Sequence, residues 1–108
     1  MACENLSWSE DIRYTNKNSV KIPVKAGVYK VLVALKNNNK LRRLYVGQAN
    51  NLNRRYQEHL SEEEKNECLK ENLSKYKCYF RYVLVSAQQD RDDIEGHLLE
   101  TGKYECNE

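Results

Sequence analysis

The sequence predicts an α/β protein of the α+β kind, a small three-stranded, mainly antiparallel sheet flanked by helices. Three observations carry this reading. Two runs rich in Val, Leu and Tyr, Gly27 to Leu35 and Leu41 to Val46, have the composition of strands. The polar stretch between them, Lys36 to Lys40 with three consecutive asparagines, is too short for a crossover, so the two strands must pair antiparallel. Beyond Gly47 the apolar period lengthens from two to about 3.6, the signature of helices packed on the hairpin.

The elements follow in order. Residues 1–19 are polar without sustained periodicity and read as a short helix or loose arm, with Trp8, Ile12 and Tyr14 able to cover a core edge. Ser19 to Pro23 alternates but meets the one proline of the chain, which demotes it to an edge or lead-in. The hairpin comes next. Asn50 or Asn51 can then cap a helix carrying Leu52, Tyr56, His59 and Leu60 at three- and four-residue spacing. Ser61 and Glu64 form a capping-box pattern that predicts a second helix through about Lys75. Cys78 to Val85 reads as a third strand. Asp90 to about Tyr104 reads as a last helix, acidic in its first turn as the macrodipole prefers.

At 108 residues, with 40% hydrophobic and 31% charged residues, the chain suits one globular domain with one modest core. No apolar run reaches the roughly 20 residues that span a bilayer, and no basic-then-apolar leader opens the chain. The expectation is a cytoplasmic protein without a membrane partner. The cysteines at 3, 68, 78 and 106 lack zinc-site spacing. Without a secreted context they are expected to be reduced and mostly buried. Net charge is only +2, yet residues 1–60 hold eleven Lys/Arg against four Asp/Glu. Residues 61–108 hold seven against twelve. The basic half suits contact with phosphates and the acidic half can supply a metal ligand. The run Glu62-Glu63-Glu64 reads as solvated helix surface.

Two tyrosines, Tyr29 and Tyr45, fall on adjacent strands, each in a glycine-tyrosine triplet. Gly47 ends the second strand, where absence of a Cβ permits close approach. Arg55 and His59 stand four residues apart on one helix face, and Glu95 lies on the last helix. Phosphodiester cleavage needs such a set. Tyr or His can activate a nucleophile, Arg clamps phosphate oxygens, and one carboxylate can hold Mg²⁺, which keeps most of its waters.

Ala26-Gly27-Val28-Tyr29-Lys30-Val31, followed by Leu44-Tyr45-Val46-Gly47 and continuing to Arg55, resembles the signature of the GIY-YIG nuclease superfamily. The resemblance covers Ala26 to Asn107. It implies a lead-in over residues 1–25 packed on a catalytic domain over residues 26–108. It implies an endonuclease that hydrolyses DNA with Mg²⁺ or Mn²⁺. In the implied roles, Tyr29 or Tyr45 positions or activates the attacking water, with Tyr29 as general base. Arg55 stabilises the phosphorane, His59 assists proton transfer, Glu95 holds the metal and Asn107 braces the site. Gly47, Gln48, Arg54, Arg55 and Lys30 would meet the DNA. Gln48 stands where some repair-type members carry lysine, and Glu100 is a rival carboxylate to Glu95. The alternatives are a nucleic-acid-binding module with weak or no catalysis, or a nuclease subunit targeted by a partner. A homodimer or a targeting protein could supply sequence selection, since no recognition helix is evident.

Overall fold

The structure, a computed structural model, describes residues 6–34 and 40–107. The sheet has four strands in the order β1-β4-β2-β3, with β1 at Ile12–Arg13, β2 at Gly27–Ala34, β3 at Leu41–Ala49 and β4 at Cys78–Leu84. Every pairing is antiparallel. Three helices complete it: α1 at Leu52–His59, α2 at Glu67–Lys75 and α3 at Gln88–Thr101. The hairpin strands, α1 and the third expected strand lie where the pattern places them, except that β3 runs on through Gly47 to Ala49 instead of ending at Gly47. The Asn-rich turn at 36–40 falls largely outside the described residues, as does Cys3.

Central β2 is buried almost throughout, because both of its faces are covered. Tyr29, Val31 and Val33 join Phe80, Leu44, Leu52, Tyr56 and Leu69 in a core beneath α1 and α2. Val28 turns to the other face, where Val46, Val83, Ile94 and Tyr104 form a smaller core under α3. Between Val31 and Leu32 the β2–β3 register slips by one residue, so that Leu44 is the extra residue of a bulge. A bulge bends its strand and re-aims the side chains beside it.

Four expectations need correction. The sheet has a fourth strand, β1, whose two residues pair as Ile12↔Phe80 and Arg13↔Tyr79. Two residues are too few to show a period, which is why the segment reads as an arm. Residues Lys17–Lys21 form a 3₁₀ turn instead of an alternating edge. α2 begins at Glu67 rather than Ser61, with Asn66 as its N-cap accepting from Leu69 N–H at 3.0 Å. The capping box fails because Glu64 spends its carboxylate on His59 and on the Asn66 N–H. Finally, Cys68 and Cys106 are joined in a disulfide, and only Cys78 is a free, buried thiol among the described residues. The two partners are 38 residues apart, a separation that carries no signal in the sequence.

The C-terminal segment explains the pairing. After α3 it returns along the outer edge of β3, where Cys106 N–H donates to Leu44 O at 2.8 Å. The Asn107 side chain then bonds both backbone groups of Val46 at 2.8 Å. Arg42 and Glu105 pair at 2.7 Å on the same edge. An otherwise unpaired strand edge is thereby covered. The lead-in is packed down too. Tyr14 stacks on Tyr56 at 4.2 Å and donates to the Tyr56 carbonyl, while Tyr56 Oη donates to Thr15 O at 2.7 Å.

Candidate active site

The site runs along α1, from Asn51 and Arg54 at its start to His59 at its end, beside the end of β3 and the first turns of α3. α1 is fixed at its start by several bonds. Asn51 caps Arg54 N–H at 3.1 Å, and the N–H groups of Leu52 and Asn53 donate to the carbonyls of Lys25 and Pro23. The Asn53 amide adds bonds to Ser19 O and Ile22 O at 2.8 Å each. Leu52 and Tyr56 are buried, so the helix cannot roll. Its remaining faces then aim His59 at the sheet and Arg55 at solvent's edge.

Tyr29 is 1% exposed. Its ring lies over Gly47, the residue opposite it in the β2–β3 ladder. A Cβ on Gly47 would come within 2.5 Å of the Tyr29 hydroxyl and 3.0 Å of the Tyr45 ring. Glycine is required here by space.

The Tyr29 hydroxyl sits 2.7 Å from His59 Nε2, and His59 Nδ1 sits 2.9 Å from Glu64 Oε2. The His59 side chain is wholly shielded and that of Glu64 nearly so. Tyr45 closes the group, its ring edge-on to His59 at 5.4 Å and tilted to Tyr29 at 6.1 Å. Burial, and after it Tyr45, push the Tyr29 hydroxyl pKa far above the ordinary phenol value, with the neighbouring Arg55 guanidinium working against them. Burial likewise holds His59 below its ordinary value, with Glu64 pulling the other way. At neutral pH the pair is therefore a neutral phenol against a neutral imidazole.

Outside this buried group the surface is polar. Arg55 Nη1 and Arg54 Nε each reach Glu58 at 3.3 Å. With Gln48, Asn51 and Gln88 these residues line an open cleft. The Gln48 amide donates to Asp92 Oδ1 at 2.7 Å and to Glu95 Oε1 at 3.0 Å. Gln88 bonds Gln48 Oε1 and Asp92 Oδ1 in turn. These amide bonds hold the exposed Asp92 carboxyl below its ordinary pKa.

The structure thus brings Tyr29, Tyr45, Arg55, His59 and Gly47 together and ties Glu95 to the cleft through Gln48. Arg54 stands at the rim. Asn107 braces the backbone of β3 one residue before Gly47. Lys30 is not brought in: it points to the other sheet face and lies 4.1 Å over the Trp8 ring. Glu100 is exposed, and of these two glutamates it is Glu95 that bonds Gln48, beside Asp92.

Sequence reasoning missed Glu64, Glu58, Asp92 and Arg91. Buried Arg91 braces the turn into α3 by donating to Val85 O at 3.0 Å and Ser86 O at 2.8 Å. Glu64 contradicts the reading of its acidic run as solvated surface: Glu62 and Glu63 are exposed, but Glu64 turns inward. Nothing in three consecutive glutamates marks which one faces a histidine.

The GIY-YIG catalytic domain family matches residues 25–104. The chain belongs to that family. Among solved structures it is similar to the GIY-YIG N-terminal endonuclease domain of UvrC from Thermotoga maritima bound to its catalytic divalent cation, magnesium. That match has 18% identity and a TM-score of 0.61, and covers 85% of this chain and 93% of that one. A tyrosine-to-phenylalanine and an asparagine-to-alanine point mutant of the same domain, each bound to its catalytic divalent cation, match at 17% identity. Both give a TM-score of 0.61 and cover 85% of this chain and 92% of theirs. At such identities the likeness establishes a shared GIY-YIG fold. No curated protein matches the chain.

The residues around Glu95 have donors of the kind a hard divalent cation takes. Glu95 and Asp92 converge on one amide and offer only hard oxygen donors. Among the described residues no group of three or more His, Cys, Asp or Glu side chains is placed to hold a metal. A cation here would rest on one or two carboxylates and its own waters, as Mg²⁺ does.

Proposed function

We propose that this GIY-YIG protein is a divalent-metal-dependent endonuclease that hydrolyses DNA phosphodiester bonds. The 2.7 Å contact of Tyr29 with a neutral His59, beside Arg55, carries the reading. The Tyr29 hydroxyl is too weak an acid to stand ionised near neutrality, so it works as a relay. It takes a proton from the attacking water while its own proton passes to His59 Nε2. General-base assistance of this kind contributes about 10²–10⁴-fold. Arg55, drawn from Glu58 by the phosphate, clamps the charge that develops on the phosphoryl oxygens. Glu95 is the residue that would hold a cation, which when bound supplies Lewis-acid stabilisation of the phosphoryl group. Tyr45 limits the positions open to the Tyr29 and His59 rings, and Asn107 keeps Gly47 in register.

No helix among the described residues is long and apolar enough to cross a membrane. The reading places the chain in the cytoplasm, with a second copy or another protein aiming it on DNA. Nicking of supercoiled plasmid tests the assignment. Wild type should nick only with Mg²⁺ or Mn²⁺ present. Arg55→Ala and Glu95→Gln should each slow the reaction by about 10²–10³-fold. Undiminished nicking by both variants would remove these residues from the mechanism.

A second reading, a binding module without useful catalysis, draws on the two contacts that occupy the site: Glu58 on Arg55 and Gln48 on Glu95. It predicts DNA binding that weakens steeply with salt and no nicking with any divalent ion.

A further inference from the structure

We propose that Glu64 is a positioning residue that fixes His59 as the proton acceptor for Tyr29. The inference rests on the nuclease reading and extends its site by one residue. Both oxygens of the Glu64 carboxylate are engaged. Oε1 accepts from the Asn66 N–H at 3.1 Å and Oε2 faces His59 Nδ1 at 2.9 Å. Asn66 is itself anchored, because it caps α2 and its amide donates to Cys106 O at 2.9 Å. The carboxylate therefore cannot swing away without disturbing the start of a helix.

An ionised carboxylate only accepts hydrogen bonds. Its partner Nδ1 must carry a hydrogen, which in a neutral ring leaves Nε2 with a lone pair. That lone pair is the atom 2.7 Å from the Tyr29 hydroxyl. Glu64 thus decides the direction of the Tyr29–His59 bond: the phenol donates and the imidazole accepts. The protons balance across the step. Water gives one to Tyr29 Oη as its oxygen attacks phosphorus, Tyr29 gives its own to His59 Nε2, and the resulting imidazolium rests against the Glu64 carboxylate. The charged and titratable groups facing His59 are Tyr29 from β2, Tyr45 from β3, Arg55 and Glu58 from α1, and Glu64 from the segment after it. Of the carboxylates among them, Glu64 is the one hydrogen-bonded to the ring.

The acceptor must be neutral, so cleavage should fall at low pH as His59 takes up a proton. Glu64 favours that proton. Its removal should move the acid limb of kcat/KM to lower pH while lowering the plateau, by about 10–10²-fold for loss of an orienting partner. The experiment measures Glu64→Gln in two ways. Nitrogen-15 NMR of the imidazole should find wild-type His59 protonated at Nδ1. In Glu64→Gln it should find the proton shifted toward Nε2 and the ring titrating at lower pH. Plasmid nicking across pH should show the shifted acid limb with KM unchanged. An unchanged tautomer and an unmoved acid limb would overturn the proposal, as would a wild-type ring protonated at Nε2, a result that needs no variant to fold. Absence of wild-type nicking would overturn the nuclease reading instead, leaving the NMR arm to decide whether Glu64 sets the His59 proton.

Discussion

The two halves of the site are built by opposite means. On the α1 side, Tyr29 and His59 are buried and the Glu64 side chain nearly so, and each has its polar atoms paired inside the protein. On the α3 side, Gln48, Gln88, Asp92 and Glu95 share an exposed or half-exposed network of amides and carboxylates. Burial makes a proton relay precise in direction, because a low-dielectric setting suppresses the charged alternatives. Exposure suits a hydrated cation, whose waters need room and whose ligand must be free to reorganise. On the proposed function, one domain would therefore hold a rigid acid–base half and a soft metal half, with Arg55 on the boundary.

This contrast can be broken from the outside in. The largest effect is expected from opening the Cys68–Cys106 disulfide, which ties α2 to the segment that carries Asn107. Closing a 38-residue loop is worth about 3–4 kcal/mol in the chain-entropy account. Cys106→Ser, or reduction of the wild type, should lower the free energy of urea unfolding by an amount of that order. In a reducing cytoplasm the same loss would be felt. Gly47→Ala comes next. The added methyl overlaps the Tyr29 hydroxyl, so overpacking should cost about 1–3 kcal/mol. It should also displace Tyr29 from His59, which a thermal melt paired with a nicking rate would detect. The smallest effect is expected at Gln48→Ala. It releases Asp92 and Glu95 without touching the core, so stability should move by no more than about 0.5 kcal/mol. The change should instead appear in the Mn²⁺ affinity read by titration calorimetry. A stability loss at Gln48 as large as at Gly47 would erase the distinction between the halves.

The sequence made the hairpin, α1 and β4 legible because each buries a regular stripe, and a regular stripe leaves a period. Asn51 declared the start of α1 through its side-chain chemistry. The family resemblance supplied Tyr29, Tyr45, Arg55, His59, Glu95 and Asn107 as a set, and the fold gathers most of them around one cleft. What stayed hidden depends on long-range return of the chain. β1 is two residues long, and the disulfide joins cysteines brought together by the C-terminal segment. Glu64 is distinguished from Glu62 and Glu63 only by where His59 lies. The failed capping box at Ser61 shows the same thing from the other side: a local signal lost to a tertiary partner that competed for one carboxylate.

Asn107 deserves a last consequence. Its amide offers Val46 one acceptor and one donor, which is what a peptide unit of a neighbouring strand would offer. A side chain here imitates backbone. A whole strand laid on β3 would continue past Val46 toward the cleft, whereas a single amide stops there. The edge is thus blunted against pairing with foreign strands without laying a further strand across Gly47, so protection from aggregation and access for a substrate are reconciled by one asparagine.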